Sequence, residues 1–496
     1  MFPSHAELAR IAPEIVLTVF GALVMLASPF FERPPGSTQP SAANWLTGIS
    51  VVGVAMALAS TIYPARDPGP AFSGLISANF FSTLLDWIIL SAALLVLLGS
   101  AGYLERDNMA PGEFCALVLF AATGMCVMAS ATELVTIFIG LEISSIASYI
   151  LAGYRRDSPL SDEASLKYFL LGSFATAFFL YGIALIYGAT GTTRLDMFSA
   201  SQSGVVPALM PLGLGLVLVG LGFKVSAAPF QIWTPDVYQG APAPVTALLS
   251  TGSKAAAFAV LLRIVASVNA ASGVWLWALW IVAVLSMFAG NLAALAQSNV
   301  KRLLAYSSIG HAGYILAALA AAAAAASSGD PDLWAKGIAA SLFYLAAYAL
   351  MKLGAFLMIA HLTGPGEQKQ ELSDFAGLGT RQPVAAACFS LFLFSLLGLP
   401  ITAGFAAKFY VFGAALSSHL IWLALAIAAN TIIGAYYYLR VIVVMYMNEA
   451  PADASKFAVP ATAAVALFVA AAGTLYFGLM PAQLATWAAR AAASLR

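Results

Sequence analysis

The stretch Gly222-Phe223-Lys224-Val225-Ser226-Ala227-Ala228-Pro229-Phe230 sets a charged amine and a proline inside an otherwise apolar run. A lysine at the centre of a membrane helix costs roughly 2.5–3.5 kcal/mol on insertion scales. Proline removes a backbone donor and breaks the helix ladder. Within a bilayer, the freed carbonyls are tolerated only where they line a cavity or bury in protein. The stretch therefore reads as an interrupted membrane helix with a lysine at the interruption. Leu399-Pro400-Ile401-Thr402-Ala403-Gly404-Phe405-Ala406-Ala407-Lys408 repeats the arrangement. Two broken spans that each carry a lysine suggest a duplicated, inverted architecture. Kinks at Pro229 and Pro400 that serve packing alone are the alternative.

Two further lysines lie in apolar runs: Lys254, behind Ser250-Thr251-Gly252-Ser253, and Lys352, in Tyr348-Ala349-Leu350-Met351-Lys352. Together the four cost on the order of 10–14 kcal/mol, as much as the whole stability of an ordinary domain. Such residues persist when they face a protein-lined or watery interior and act on ions or protons. Lys352 reads equally as a lysine whose long stem reaches the membrane interface.

The rest of the chain fits a membrane setting. Of 496 residues, 61% are hydrophobic and 9% charged, against about 25% charged in soluble domains. Lys plus Arg and Asp plus Glu are equal at 22 each, which gives no basic excess for nucleic acid. Cys115, Cys126 and Cys388 are scattered in apolar runs, without metal-ligand or disulfide spacing. Gly213, Gly215, Gly220 and Gly222 resemble a nucleotide fingerprint only superficially, because no strand precedes them; close helix packing is the better reading. The N-terminus lacks a basic signal-peptide region, so the first apolar run is expected to be a retained helix.

The expected fold is all-α and polytopic, with about fourteen spans. They centre on Val19, Val54, Ser91, Phe120, Ile143, Ala175, Leu216, Ala255, Val284, Ile315, Tyr348, a broken segment from Phe389 to Leu416, Ile432 and Val465. The longest loop runs from Thr363 to Gln382. Loops after odd-numbered spans hold more Lys and Arg (Arg33, Arg106, Arg155, Arg156, Lys301, Arg302 and Lys456 among them) than the other side, which includes Arg10, Arg66, Arg194, Arg263, Arg490 and Arg496. The positive-inside rule then sets both termini outside.

Proton relays need groups whose two protonation states are close in energy. A carboxylate about 4 Å from a buried ammonium, at an effective dielectric of about 20, stabilises it by roughly 4 kcal/mol. At about 1.4 kcal/mol per tenfold, that is about a thousandfold in proton affinity. A carboxylate that moves relative to a buried lysine is therefore a switch. Glu142, in Gly140-Leu141-Glu142-Ile143-Ser144-Ser145, is the mid-span candidate, against a purely structural glutamate. Glu133 and Asp86 lie nearer span ends and read as interfacial. His311, after Ser307 and Ser308, can pass protons near neutral pH or simply be a satisfied packing histidine. His361 is closer to a helix end, and His5 and His419 read as loop residues. No hydrolytic carboxylate pair, serine nucleophile with its base, or metal cluster is present, so the chemistry on offer is movement of protons or cations.

Gly222 to Phe230, continuing through Trp233-Thr234-Pro235-Asp236-Val237-Tyr238-Gln239-Gly240-Ala241-Pro242, resembles the antiporter-like subunits of respiratory complex I, and the Asp236–Pro242 run the subunit N branch of bacterial NADH–quinone oxidoreductase. Glu163-Ala164-Ser165-Leu166-Lys167-Tyr168-Phe169, Asn299-Val300-Lys301-Arg302-Leu303-Leu304 and Leu399 to Lys408 agree. The resemblance covers roughly the fourth to thirteenth spans. It implies fourteen helices, with spans four to eight and nine to thirteen as inverted five-helix repeats and spans seven and twelve broken. The units would be residues 1–110 (three helices), 111–270 and 271–448 (the repeats), and 449–496 (a C-terminal helix and tail).

The resemblance further implies a proton relay of Glu142, Lys224, Lys254 and Lys408, with Lys352 matching a lysine of the wider family and His311 and Glu133 as possible members. It implies a bacterial inner-membrane location, partners among the other membrane and peripheral subunits of complex I, especially neighbouring antiporter-like ones, and no cofactor on this chain. NADH, FMN, iron–sulfur clusters and quinone are expected on other subunits. Two other readings remain: a subunit of a multi-subunit cation/proton antiporter, and a structural membrane subunit whose lysines specify the fold.

Overall fold

A computed structural model describes residues 3–31, 43–198, 209–268, 272–450 and 458–495. Arg33, Lys456, Arg496 and the expected unit boundary at residue 270 lie outside the described residues. The chain is nearly all helical, with one short hairpin, β1 (Gly69–Ala71) and β2 (Ile76–Ala78).

A short helix, α1 (His5–Arg10), opens on a capping box in which Ser4 and Glu7 satisfy each other's backbone amides. His5 is thus helical where a loop was expected. α2 (Ala12–Phe31), α3 (Ala43–Ser60) with its extension α4 (Ile62–Arg66), and α5 (Phe80–Arg106) follow. Next come α6 (Pro111–Ser130), α7 (Leu134–Ala152) and α8 (Pro159–Thr190). The seventh apolar run divides into α9 (Leu209–Lys224) and α10 (Thr234–Gly240). The eighth comprises α11 (Ala243–Leu248), a π turn over Leu249–Ser253, and α12 (Lys254–Ser267). α13 (Ser272–Leu295), α14 (Val300–Ser328) and α15 (Pro331–Leu362) are continuous. After the small α16 (Leu378–Arg381), the twelfth run divides into α17 (Pro383–Leu397) and α18 (Ala403–Ser417). α19 (Ile421–Met447), α20 (Ala461–Leu479) and the tail helix α21 (Pro481–Ser494) close the chain.

Every expected span centre falls on one of these helices. Among the described residues, twelve helices are long and apolar enough to cross a membrane, and Leu209–Lys224, Pro383–Leu397 and Ala403–Ser417 are shorter apolar helices. The shorter helices come from the two breaks. At the first, α9 ends on Lys224, and Ser226 takes a left-handed φ of 61°. At the second, Gly398 has φ 93° and Ile401 φ 81°. The Thr363–Gln382 loop folds into short 3-10 turns and α16.

Position in the bundle follows side-chain character. The segment 243–265 is wholly buried, and α14 and α15 nearly so, whereas α2, α8, α19 and α20 turn large apolar side chains outward. The alanine-rich part of α14 has no lateral bulk, which lets α13 and α15 close on it. The lysines therefore sit on inner helices, surrounded by protein.

Candidate functional site

α14 is the spine of the site. Ser307, His311 and Tyr314 follow at intervals of four and three residues, with Ser308 three before His311, which sets them on one face. Three lysines from three other helices converge on that face. Lys254, the first residue of α12 after the π turn, donates to the Ser308 carbonyl (2.9 Å) and hydroxyl (2.7 Å). π turns inside helices commonly mark functional positions. The Ser308 hydroxyl also pairs with Tyr348 at 2.7 Å. Lys352 of α15 donates to the Leu304 carbonyl (2.6 Å) and Ser307 Oγ (2.9 Å). Ser307 shares a short hydrogen bond with Tyr438. His311 joins Tyr344 through Nδ1 (2.7 Å) and Tyr438 through Nε2 (3.1 Å).

Lys408 of α18 donates to the carbonyls of Leu396 (3.1 Å) and Leu397 (2.7 Å). These belong to the end of α17, where a helix leaves carbonyls unpaired. The break in the twelfth run thus supplies the acceptors for its lysine. The amine also lies 5.1 Å from the centroid of Tyr314, whose ring meets His311 edge-on at 5.7 Å. Amines, hydroxyls and imidazole follow one another from Lys254 to Lys408.

Lys224 occupies a separate cluster. Its amine donates to Ser145 Oγ (2.9 Å) and Tyr168 OH (3.3 Å). Glu142, one turn before Ser145 on α7, is the carboxylate that acts on it electrostatically. Glu142 is half-buried and accepts from Thr176 Oγ1 at 2.9 Å. Between the Lys224 and Lys254 clusters stands Tyr238, whose buried hydroxyl faces Ser226 and Ser308. Among the described residues, Lys254, Lys352 and Lys408 have no carboxylate within 4.0 Å.

Several sequence expectations need revision. Lys352 does not reach an interface: its exposure is 0%. Asp86, near the start of α5, is buried among the helices. Arg263, read as a loop residue, is buried within α12, and Lys301 is fully buried at the start of α14. Glu133 caps α7, accepting from the amides of Val135 (3.0 Å) and Thr136 (2.6 Å). Burial pushes its carboxyl up, but hydrogen bonds from Thr193 and these amides outweigh that and hold it below the ordinary range. His361 is buried in the last turn of α15, with Nε2 at 3.1 Å from the Gly99 carbonyl. Among the described residues, no group of three His, Cys, Asp or Glu gathers as metal ligands.

A buried ionic network on the opposite face from the termini was not foreseen. Glu367, in the Thr363–Gln382 loop, accepts from Lys301 Nζ (2.6 Å), Tyr103 OH (2.6 Å) and the Ala243 amide (2.7 Å). Arg155 joins it at 3.4 Å and Asp107 at 3.2 Å. Burial pushes the Glu367 carboxyl up, but Lys301 and Arg155 more than offset it and hold the carboxyl at about 2. Nearby, Asp236 pairs with Lys167 (2.7 Å) and Arg302 (2.6 Å).

With this geometry in hand, similar proteins are informative. A family model described as NADH:quinone oxidoreductase/Mrp antiporter, TM, matches residues 131–434. NADH-quinone oxidoreductase subunit N 1 of Solibacter usitatus is 47% identical over 98% of this chain and 97% of its own length. Subunit N 2 of Koribacter versatilis is 48% identical over the same shares. A chain of respiratory complex I from Thermus thermophilus superposes with a TM-score of 0.77 at 35% identity, covering 96% of this chain and 98% of that one. A chain of the Mrp complex from Dietzia shares the fold alone, with a TM-score of 0.83 at 21% identity over 99% of this chain and 98% of that one. The chain belongs to the NADH-quinone oxidoreductase subunit N family, within the antiporter-like membrane proteins that complex I shares with Mrp antiporters.

Proposed function

We propose that this chain moves protons through Glu142, Lys224, Lys254 and Lys408, driven by electron transfer from NADH to quinone in other subunits. It is an antiporter-like, proton-translocating membrane subunit of NADH:quinone oxidoreductase. The observation that carries the residue assignment is the convergence of Lys254, Lys352 and Lys408 on the hydroxyl and imidazole face of α14. NADH, FMN, iron–sulfur clusters and quinone belong to other subunits in this reading, and the partners are the adjoining membrane subunits. The membrane is the bacterial inner membrane, with both termini outside.

In this mechanism Glu142 sets the charge on Lys224. Lys224 exchanges a proton with Lys254 across the Tyr238 gap, where a water can bridge separated polar groups. The α14 side chains then pass it to Lys408, with His311 and Lys352 as members and Glu133 as the cap that fixes α7. Moving one charge against 100 mV costs about 2.3 kcal/mol, less than the roughly 4 kcal/mol that a moving carboxylate supplies. Fourteen spans follow if each divided run counts once, and the matched lysine-bearing breaks support inverted repeats over 111–270 and 271–448, with 1–110 and 449–496 as flanking units.

The test is the proton-to-electron ratio of the reconstituted complex with Lys224→Met or Lys254→Met. A lowered ratio in assembled complex supports the relay; an unchanged ratio rejects it. Loss of assembly without change of ratio in what remains would favour the structural reading.

A further inference from the structure

A second set of buried ionisable groups lies among the N-terminal helices, apart from the lysine relay. Glu14 comes from α2, Asp86 from α5 and Arg263 from α12, with residue exposures of 7%, 5% and 4%. Asp86 is within electrostatic reach of Glu14, Arg263 and the Cys126 thiol of α6. Among the described residues, α3 carries no charged side chain, and Glu14 and Arg263 are the charges that act on Asp86. One Glu14 oxygen accepts from Ser130 Oγ at 3.2 Å, while Glu14 Oε2 and Asp86 Oδ1 are buried with no hydrogen-bond partner. Arg263 donates Nε and Nη2 to the Ala129 carbonyl (3.1 and 2.8 Å) and lies 4.9 Å from the Phe81 ring centroid. Among the described residues it makes no ion pair within 4.0 Å.

Charge balance decides what such a site does. Two ionised carboxylates beside one guanidinium leave an uncompensated negative charge among apolar helices, which is strongly unfavourable. One added proton neutralises the site and turns an unpartnered carboxylate oxygen into a donor. Of the three groups, Arg263 reaches a cavity: it lines one of about 760 Å³ on the termini face, together with Asn79, Thr132, Asp196, Asp330 and Ser494.

We propose that Glu14 and Asp86 together hold one exchangeable proton, and that it exchanges with the termini-face cavity past Arg263, whose guanidinium stays charged. The site is a second proton-binding position in the chain, on the outer side in the orientation given above. It rests on the reading that the chain translocates protons.

The test uses the whole complex carrying this chain. Infrared difference spectra between alkaline and neutral pH, in H₂O and D₂O, report the carbonyl stretch of a protonated carboxylic acid. The expected result is a deuterium-sensitive band that is lost in both Glu14→Gln and Asp86→Asn, with a lowered proton-to-electron ratio. If those variants do not assemble, Glu14→Asp and Asp86→Glu replace them; a displaced band supports the shared proton. A band unmoved in all assembled variants, or no such band in the wild type, overturns it. Lys254→Met separates the two readings: a lowered ratio with the band retained leaves the relay standing whatever the carboxyl variants show. An unchanged ratio there rejects the relay, while the band still reports on Glu14 and Asp86.

Discussion

Glu367 shows how a single loop side chain can fix several membrane helices. Its carboxylate ties α14 through Lys301, α5 through Tyr103 and the start of α11 through the Ala243 amide. Removing one partner of a buried ion pair costs roughly 3–5 kcal/mol, because the other charge is stranded. Glu367→Gln is therefore expected to lower the unfolding temperature of the complex sharply, and Lys301→Met in the same chain to restore part of the loss; differential scanning fluorimetry of both variants checks this. The pH dependence follows from the sign of the perturbation. A carboxyl held at about 2 when folded, against roughly 4.3 when unfolded, adds stability that is fully present above the higher value. That stability is lost as pH falls through the lower one. The difference in unfolding temperature between wild type and Glu367→Gln should thus be constant from neutral pH down to about 5 and shrink below about 4. Lys224, Lys254 and Lys408 were legible in the sequence because each stands alone in an apolar run. Lys301 and Arg263 were not, because each lies near a span end, where a surface lysine or arginine is ordinary. The partner of Lys301 is 66 residues away, and no local pattern joins them.

The divided helices show what an element contributes beyond its residues. Pro229 and Pro400 lie within the two breaks, yet neither proline begins its break. The first starts at Lys224, where α9 ends, and the second at Gly398, whose φ of 93° suits glycine. Across the second break α17 and α18 approach so closely that a Cβ on Gly404 would lie 1.8 Å from the Ser395 carbonyl oxygen. That atom is backbone and cannot rotate away, so a methyl group there must separate the two helices. Lys408 rides on α18 and donates to carbonyls on α17, so the separation would reach its amine. Overpacking of this kind costs typically about 1–3 kcal/mol. Gly404→Ala is expected to lower the amount of assembled complex or, where it assembles, the proton-to-electron ratio. Gly413→Ala, on the same helix with nothing within 4 Å of the added carbon, should change neither. Equal behaviour of the two variants in reconstituted vesicles would show that the close approach at the break is not needed. The span centres were readable from hydropathy alone, and Ser250-Thr251-Gly252-Ser253 drew attention to the place before Lys254, but the π geometry there was not readable, because a one-residue widening has no composition of its own.

At the scale of the whole molecule, basic side chains near the helix ends form two contact-linked sets. Arg155 with Asp107 and Glu367, and Arg302 with Asp236 and Lys167, belong to one face. Arg10 with Asp67, Arg194 with Asp196 and the Ser73 carbonyl, and Arg490 over Phe80 belong to the other, where Ser494 also meets Asn79. This partition matches the alternation of loops counted along the sequence, with Arg263 moved from the second surface into the bundle. Lys and Arg retained on the cytoplasmic side set membrane orientation, so the face with Arg155, Arg156 and Arg302 should be cytoplasmic. The positions Asp157 and Asp332 are exposed on the first and second face respectively, and Cys115 and Cys126 are buried while Cys388 is half-buried. In a Cys388→Ala background, a membrane-impermeant maleimide should label Asp332→Cys in intact spheroplasts and Asp157→Cys only after the membrane is opened. The reverse pattern would invert the chain in its membrane. The cavity lined by Arg263 would then face the cytoplasm, and the Glu14–Asp86 pair would become an entry for protons and not an outlet, because the direction of the path is set by which face meets which compartment.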